Sequence, residues 1–201
     1  MSERLIINKN NTAVLIMDYQ NDVLTHIPEE RRKPLIQNVV RILEAARQAG
    51  IEVIHVANIF REGYPEINDK NRIFREVKAK GMYQDGSSGA AIHSEVSPQK
   101  GEILIIKHRA SAFHDTDLET ILKNKGITQL FLIGVATEGC VLSTARQATD
   151  LDYSVVVISD GCADPDNEIH EALVKKVFLR AASVVTIEEF VSAVRDGALE
   201  I

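Results

Sequence analysis

The stretch LFLIGVATEGCV, residues 130–141, passes from a continuous apolar run through glycines to a cysteine. Its first four residues are apolar without alternation, which is typical of a strand covered on both faces of a parallel sheet. Gly134 and Gly139 permit a tight backbone turn after that strand. If Thr137 caps the helix that follows, Cys140 lies in the first turn of that helix. The stretch therefore predicts a strand, a turn and a helix of an α/β protein.

Other apolar runs on both sides of this stretch alternate with segments of helical periodicity. That alternation predicts a mainly parallel sheet with helices on both faces. The six predicted strands are Ala13–Met17, Val53–Ala57, Ile103–Ile106, Leu130–Ile133, Ser154–Ile158 and Ser183–Val185.

Capping patterns predict where several helices begin and end. Apolar residues at helical spacing run from Leu35 to Ala46, and Gly50 is placed to end that helix. Three further helix starts carry capping sequences. They are the capping boxes of Thr116 with Glu119 and of Thr186 with Glu189, and Asp164 as an N-cap before Pro165.

No linker, repeat or shift of composition divides the chain, so residues 1–201 are expected to form a single domain. The regular alternation is interrupted at Arg61–Lys100, which includes the glycine-rich stretch GSSG at residues 86–89. A connection of this length usually covers a site or reaches a neighbouring subunit. The alternative is a mobile surface excursion.

Charge and composition narrow the classes of partner. The chain has 23 Lys and Arg against 29 Asp and Glu, a formal charge of −6, which disfavours nucleic acid and anionic membranes. Residues 1–11 lack the pattern of a secretory signal, and no apolar run approaches the roughly 20 residues of a membrane span. We therefore expect a cytoplasmic protein in which Cys140 and Cys162 remain free thiols, with Cys162 serving as buried filler.

Three reactive side chains follow predicted strands. Asp18 follows the first strand, Lys107 the third and Cys140 the fourth. Because ligands of an open parallel sheet gather at the carboxyl ends of its strands, the three side chains are predicted to meet in one cleft. Each also has an ordinary structural explanation, namely a capping carboxylate, a solvated lysine and a small buried thiol.

Together the three side chains can perform nucleophilic catalysis. A free thiol is mostly protonated at neutral pH, so we expect the helix N-terminus and Lys107 to lower the pKa of Cys140. Asp18 can take the thiol proton and later pass it to a leaving group. Unpaired N–H groups at the start of the helix can hold the oxyanion of a tetrahedral intermediate.

The segments Ala13–Val23, Lys107–Phe113 and Gly134–Cys140 resemble the isochorismatase-like family of cysteine hydrolases. The catalytic Asp, Lys and Cys of that family match the three reactive residues in type, order and setting. The resemblance extends from about Thr12 to Val194. It implies a three-layer α/β/α fold with a six-stranded, mainly parallel sheet, and an acyl-enzyme route for breaking a C–N bond.

The resemblance also implies roles for further residues. The backbone N–H groups of Ala136 and Cys140 match the oxyanion hole of the family, which commonly has a cis peptide bond before the residue at the Ala136 position. Gln20, Val23 and Phe113 are implied to bind substrate, and Val23 stands where the family often has Phe. Family members are commonly dimers or tetramers, so a homo-oligomer is expected.

Two departures from the family pattern narrow the chemistry. Nicotinamidases of the family bind a metal through an Asp-x-His sequence after the second strand, where this chain has HVANIFR at residues 55–61. The six histidines also lack the spacing of a zinc site, so neither a metal nor another cofactor is expected. Several enzymes that act on isochorismate lack the cysteine, so Cys140 favours an amide, ureido or carbamoyl substrate.

The sequence thus predicts a metal-independent cysteine hydrolase that cleaves a C–N bond of a small amide, ureido or carbamoyl substrate through a thioester. Two alternatives stay open. In the first, Asp18 protonates a vinyl ether and Cys140 is a bystander. In the second, the chain is a non-catalytic binding protein or a redox sensor that uses the thiol.

Overall fold

The central feature of the protein is a six-stranded parallel sheet, seen in a computed structural model that describes residues 4–200. All neighbouring strands pair in parallel, which confirms the predicted sheet. No strand boundary differs from its predicted position by more than one residue. In spatial order the strands are β4 (Ile103–Lys107), β3 (Glu52–Asn58), β2 (Thr12–Met17), β5 (Gln129–Gly134), β6 (Ser154–Ile158) and β7 (Ser183–Val185).

Helices flank this sheet, as the predicted three-layer α/β/α fold requires. They are α1 (Asn21–Leu24), α2 (Glu29–Ala49), α3 (Arg72–Lys80), α4 (Leu118–Asn124), α5 (Leu142–Asp150), α6 (Asn167–Ala172) and α7 (Ile187–Asp196). Helices α2 and α7 pack against each other, and α7 contacts the sheet where the rings of Phe131 and Phe190 lie 5.0 Å apart. Among residues 4–200, no helix is long and apolar enough to cross a membrane.

The position of each strand in the sheet explains its apolar pattern. Strands β2 and β5 are central and are buried along their whole length. Because both of their faces are covered, their sequences are continuously apolar. Strand β4 lies at the edge, and its side chains alternate between the buried Ile105 and the exposed Leu104 and Ile106.

A second, small sheet was not predicted from the sequence. It pairs β1 (Arg4–Ile6) with β8 (Ala198–Glu200) in antiparallel register. Each of these strands has three residues, which is too short for a pattern of period two to be read.

Two of the capping predictions are confirmed. The capping box of Thr186 and Glu189 is formed at the start of α7. Gly50 ends α2 in the left-handed conformation, with φ of 68°. A glycine adopts this conformation without a steric cost, which accounts for its position after the helix.

Two other capping predictions are wrong. Helix α4 begins at Leu118, and the Thr116 hydroxyl donates to the carbonyl of Ala112 instead of forming a box with Glu119. Helix α6 begins at Asn167, where the side chain of Asp166, not Asp164, accepts the free N–H groups. Thr116 is engaged by a carbonyl four residues earlier in the chain, whereas the Asp164 carboxylate accepts from the distant N–H of Glu138.

The long connection at residues 61–100 is tied down onto the molecule. The N–H of Asn21 donates to the carbonyl of Ala91 at 3.0 Å, and the N–H of Asp22 donates to the carbonyl of Gly89 at 2.9 Å. These contacts hold the connection against α1, which follows directly after β2. The connection therefore covers the carboxyl end of the sheet, as the first of the two expectations proposed.

Candidate active site

Four adjacent strands each deliver one polar side chain to the same end of the sheet. Lys107 ends β4, Asn58 ends β3, Asp18 follows β2 and Cys140 lies just beyond β5. Because parallel strands end at the same edge, side chains separated by up to 122 positions in the chain become neighbours. The structure thus brings together the three reactive residues that the sequence indicated, with Asn58 as a fourth.

Asp18 and Lys107 form a buried ion pair. The Lys107 Nζ lies 2.7 Å from Asp18 Oδ2 and 3.1 Å from the carbonyl oxygen of Arg109. The Lys107 side chain has no exposed surface. A lone buried ammonium would be very unfavourable, so the carboxylate is the partner that permits this lysine to lie inside the protein.

The backbone at Asp18 directs its carboxylate. The residue adopts a left-handed conformation with φ of 60°, and its N–H donates to the carbonyl of Val56 on β3. Aspartate is among the non-glycine residues that tolerate this region. Asn58 Nδ2 lies 3.4 Å from Asp18 Oδ2, whereas Asp18 Oδ1 has no hydrogen-bond partner among the described residues. Lys107 and Asn58 therefore hold Oδ2, and Oδ1 is free to accept a hydrogen bond or a proton.

Cys140 lies in a π-helical turn, Thr137–Val141, which leads into α5. The residue is only 3% exposed, and its Sγ lies 3.6 Å from the carbonyl oxygen of Ala136. Gly134 makes the room that the sulfur occupies, because a Cβ at this position would lie 2.9 Å from Cys140 Sγ. The end of β5 is thus shaped around the thiol.

Most backbone N–H groups next to the cysteine donate hydrogen bonds to other groups of the protein. The N–H of Val135 donates to Met17, that of Thr137 to Ala163 and that of Glu138 to the buried carboxylate of Asp164. The Ala136 N–H makes no hydrogen bond to any residue in the described part of the chain. The Val135–Ala136 peptide bond is cis.

The start of this helical turn differs from its predicted form. Ala136, not Thr137, occupies the N-cap position. The Thr137 hydroxyl instead contacts the ring of His170 at 2.9 Å. Cys140 nevertheless lies at the start of the helical segment, where N–H groups and the helix dipole favour negative charge.

Burial, more than the helix start, determines the electrostatics of the thiol. Burial, followed by the charge of Asp18, raises the pKa of Cys140 well above its usual value, while Lys107 opposes the rise. The expectation that the pKa of the thiol is lowered is therefore wrong. Burial also raises the pKa of Asp18, with Lys107 again opposing it. The resting site thus holds a neutral thiol beside an ion pair.

The thiol and the carboxylate lie at the wall of a cavity of about 300 Å³. Val23, which the resemblance implied to bind substrate, lies in its lining together with the backbone segment around Ala136. Helix α3 supplies part of the lining through Phe74 and Val77. The cavity is of the size that small-molecule sites commonly have.

Gln20 and Phe113 are not among the described residues that line this cavity. The Gln20 amide is fully buried, where it donates to the carbonyls of Asn58 and Ala90 and accepts from the N–H of Asn58. Phe113 is buried against Tyr153, with ring centroids 5.7 Å apart. Through these contacts Gln20 fixes the end of β3 to the covering connection.

Three residues of the site were missed from the sequence. Asn58 was seen only as part of the HVANIFR segment, which lacks the metal motif, and Tyr83, which lines the cavity, lies in a connection without periodicity. Asp164 was assigned to a helix cap, although its carboxylate supports the cysteine loop. The position of Asn58 at a strand end was a usable signal, whereas the other two depend on long-range contacts.

The second cysteine follows β6, the strand next to β5. Cys162 is buried, and its thiol contacts the carbonyl oxygen of Ile158 at 3.3 Å. Burial raises its pKa to about 12. The expectation that Cys162 is buried filler is confirmed.

Comparison with known proteins assigns the family. The Isochorismatase domain model matches residues 12–189. The chain belongs to the isochorismatase family. Membership confirms the resemblance seen in the sequence and makes the protein an isochorismatase-family hydrolase.

Relatives within the isochorismatase family match most of the chain. Ureidoacrylate amidohydrolase RutB of Rhizobium rhizogenes is 30% identical over 218 residues, covering 98% of this chain and 88% of that protein. A probable inactive nicotinamidase of Arabidopsis thaliana is 34% identical over 167 residues, covering 81% of this chain and 85% of that protein. The crystal structure of a cysteine hydrolase from Pseudomonas syringae superposes with a TM-score of 0.86 at 22% identity, covering 98% of this chain and all of that one, which shows the same fold.

Proposed function

We propose that this isochorismatase-family protein is a metal-independent cysteine amidohydrolase that cleaves a C–N bond of a small amide, ureido or carbamoyl substrate. The observation that carries the proposal is the convergence of Cys140 with the Asp18–Lys107 ion pair at the wall of one cavity. The ureido class is favoured within this range, because a relative that covers nearly the whole chain is named ureidoacrylate amidohydrolase.

Asp18 is the group that activates the thiol. Its Oδ2 is held by Lys107 and Asn58, so Oδ1 is the oxygen that accepts the thiol proton. Before the transfer the negative charge is on Asp18, and afterwards it is on the sulfur. Lys107 lowers the pKa of both groups, so its charge stabilises the site on either side of the transfer. A thiol with a raised pKa is therefore compatible with nucleophilic attack that is assisted by a base.

The reaction proceeds in two halves. Cys140 Sγ forms a bond to the substrate carbonyl carbon while the thiol proton moves to Asp18, and the Ala136 and Cys140 N–H groups receive the oxyanion. The C–N bond then breaks, and Asp18 returns the proton to the departing nitrogen, which leaves a thioester, or its S-carbamoyl equivalent when the substrate is a ureido or carbamoyl compound. Water attacks the thioester and gives a proton to Asp18. The C–S bond breaks, the acid departs and the thiol regains its proton.

The protein's own side chains are sufficient for this route. Asn58 stands at the end of β3 beside Asp18, in the HVANIFR segment where family nicotinamidases have their metal ligands. Within residues 4–200, no three His, Cys, Asp or Glu side chains are grouped so that they could hold a metal ion. In the proposed route Lys107 supplies the positive charge beside the reacting groups.

Intact-mass spectrometry with ureidoacrylate tests the proposal. The wild-type protein is expected to hydrolyse ureidoacrylate and, on rapid acid quench, to carry an adduct of the acyl mass on Cys140. Cys140→Ser is expected to lose turnover by at least about 10⁴-fold, as loss of a covalent nucleophile does in other hydrolases. Cys162→Ser is the matched control, since it removes the other thiol, and it is expected to keep turnover.

Other outcomes of this experiment contradict the proposal. Normal turnover of ureidoacrylate in Cys140→Ser with no adduct on residue 140, or turnover that survives alkylation of Cys140 by iodoacetamide, would exclude the covalent route. Hydrolysis of a vinyl ether that survives the same alkylation, with no hydrolysis of ureidoacrylate, would favour proton-driven ether hydrolysis by Asp18. A thiol that oxidises reversibly, with no hydrolysis of any amide or urea in a panel, would favour a redox sensor.

A further inference from the structure

Tyr83 is a polar residue of the cavity wall that the reaction steps leave unused. It belongs to the covering connection rather than to a strand end. The residue is 8% exposed and lines the cavity together with Asp18 and Cys140. A buried tyrosine normally directs its hydroxyl towards a hydrogen-bond partner.

The Tyr83 hydroxyl differs from those of two other tyrosines. The hydroxyl of Tyr19 donates to the carbonyl of Gly161, and that of Tyr64 donates to the carbonyl of Met82 at 3.0 Å. Within the described range of residues, the hydroxyl of Tyr83 has no hydrogen-bond partner. Burial, followed by the charges of Asp18, Asp22 and Cys140, raises the pKa of Tyr83, so the hydroxyl stays protonated and can donate.

The backbone of Tyr83 is held in an unfavourable conformation. Its φ is 59°, in the left-handed region that a bulky residue rarely adopts. Two hydrogen bonds impose it, because the Tyr83 N–H donates to Asp22 Oδ2 at 3.1 Å and the Tyr83 carbonyl accepts from the N–H of Phe60 at 2.9 Å. Strain of this kind persists only where the surroundings fix it, and it is concentrated at functional positions.

Gly89 makes the contact with Asp22 feasible. A Cβ on Gly89 would overlap the Asp22 carboxylate, so a side chain at this position would displace it. The Asp22 N–H also donates to the Gly89 carbonyl at 2.9 Å. Asp22 is thus fixed from two directions while it holds the backbone of Tyr83.

The part of the substrate that Tyr83 faces follows from the layout of the cavity. The groups proposed to act on the reacting bond, Asp18, Lys107 and the segment around Ala136, come from the ends of strands. Tyr83 comes from the covering connection. When the substrate carbonyl lies beside Cys140 and Asp18, the substituent on the scissile nitrogen occupies the rest of the same cavity, whose lining includes Tyr83. A protonated hydroxyl in that lining can donate to an acceptor oxygen on the substituent.

We propose that the Tyr83 hydroxyl donates a hydrogen bond to an acceptor oxygen, a carboxylate or carbonyl, on the substituent that the scissile nitrogen carries. Asp22 is a positioning residue that acts through the backbone of Tyr83. The inference rests on the proposed function, because it assigns the specificity of the same site. It narrows the substrate class to ureido or carbamoyl compounds whose other end carries such an oxygen.

Binding measured without turnover tests this role. In a Cys140→Ala background, titration calorimetry with ureidoacrylate gives the Kd before and after Tyr83→Phe, which removes only the hydroxyl. We expect the Kd to rise about tenfold or more, because the acceptor is a charged carboxylate. Tyr153→Phe is the matched control, since the Tyr153 hydroxyl is buried, unpartnered among the described residues and outside the cavity lining, and its Kd is expected to stay within about twofold.

The positioning role of Asp22 is tested by a double-mutant cycle in the otherwise wild-type enzyme. Asp22→Ala and Tyr83→Phe are each expected to lower kcat/KM for ureidoacrylate, and the double variant is expected to lose little more than the larger single effect. Asp22→Asn retains an acceptor oxygen and is expected to restore most of the loss. If the losses of kcat/KM in the two single variants add in the double variant, or if Asp22→Asn does not restore kcat/KM, Asp22 does not act through Tyr83 and has only a general structural role.

The outcomes separate the two proposals. Wild-type turnover with an unchanged Kd in Tyr83→Phe, or an equal loss in Tyr153→Phe, would overturn the role of Tyr83 and leave the hydrolase function standing. A wild-type protein that neither binds nor hydrolyses ureidoacrylate or any other urea or amide of a panel would overturn both.

Discussion

Gly134→Ala tests whether the end of β5 is shaped around the thiol of Cys140, the proposed nucleophile. An added Cβ would lie 2.9 Å from Cys140 Sγ, 3.0 Å from the carbonyl oxygen of Met17 and 3.1 Å from the Met17 Cβ. The Met17 atoms belong to a central strand that cannot easily move. The thiol is therefore the group that gives way, by about 0.5 Å or more before it reaches an ordinary van der Waals distance.

A displacement of this size has a calculable effect on the reaction. A misplacement of about 1 Å at a reacting group costs on the order of 100-fold in rate, so a shift of half that size or more predicts a loss of about 10- to 100-fold in kcat. Overpacking at a buried site also costs about 1–3 kcal/mol of stability. We expect both losses, measured by steady-state hydrolysis of ureidoacrylate and by urea unfolding of the same preparations.

Gly161→Ala is the control that separates the loss of kcat from the loss of stability. Its Cβ would lie 2.6 Å from Ile133 Cγ2 and 2.8 Å from Ile42 Cδ1, so it overpacks the core without touching the thiol. This variant is expected to lose stability while its folded fraction keeps the wild-type kcat. If Gly134→Ala keeps wild-type kcat, or if the two variants lose kcat equally, the claim that Gly134 positions the thiol is refuted.

Two further predictions concern the covering connection and the response to acid. Gly89→Ala is expected to displace the Asp22 carboxylate and to lower kcat/KM for ureidoacrylate about tenfold or more through loss of the Tyr83 contact, and an unchanged kcat/KM in steady-state assays would contradict this. Burial lowers the pKa of His55, so protons bind preferentially to the unfolded chain, and the free energy of unfolding is expected to fall as pH drops below about 6.5. His55→Gln should flatten this dependence in urea unfolding between pH 7 and 5, and a profile as steep as that of the wild type would contradict the assignment.

The sequence was sufficient to predict those site residues that directly follow a readable apolar strand. Asp18, Lys107 and Cys140 could be found because each follows an apolar run whose direction and end are readable, and the end of a parallel strand fixes where a side chain points. The six strands were found for the same reason. The continuous apolar character of the central strands β2 and β5 reflects burial on both faces, which a single sequence records.

What the sequence did not reveal depends on contacts between distant segments. Tyr83 owes its place to Asp22, which precedes it by 61 positions, and no local pattern records that contact. Asp164 has the local signature of a helix cap but supports the cysteine loop instead. The raised pKa of Cys140 follows from burial, whereas the sequence showed only a nearby lysine and a helix start.

The delivery of one side chain from each of β4, β3, β2 and β5 has a consequence for refolding. The four strands form three pairs, β4 with β3, β3 with β2 and β2 with β5. A slip of one residue in any of these three pairings would turn one of the four side chains to the opposite face of the sheet. Such pairings are remote in sequence and form slowly, since each must close a long loop first. Recovery of turnover in a refolding experiment therefore reports that all three have closed in register, and it should lag behind the return of helical circular dichroism.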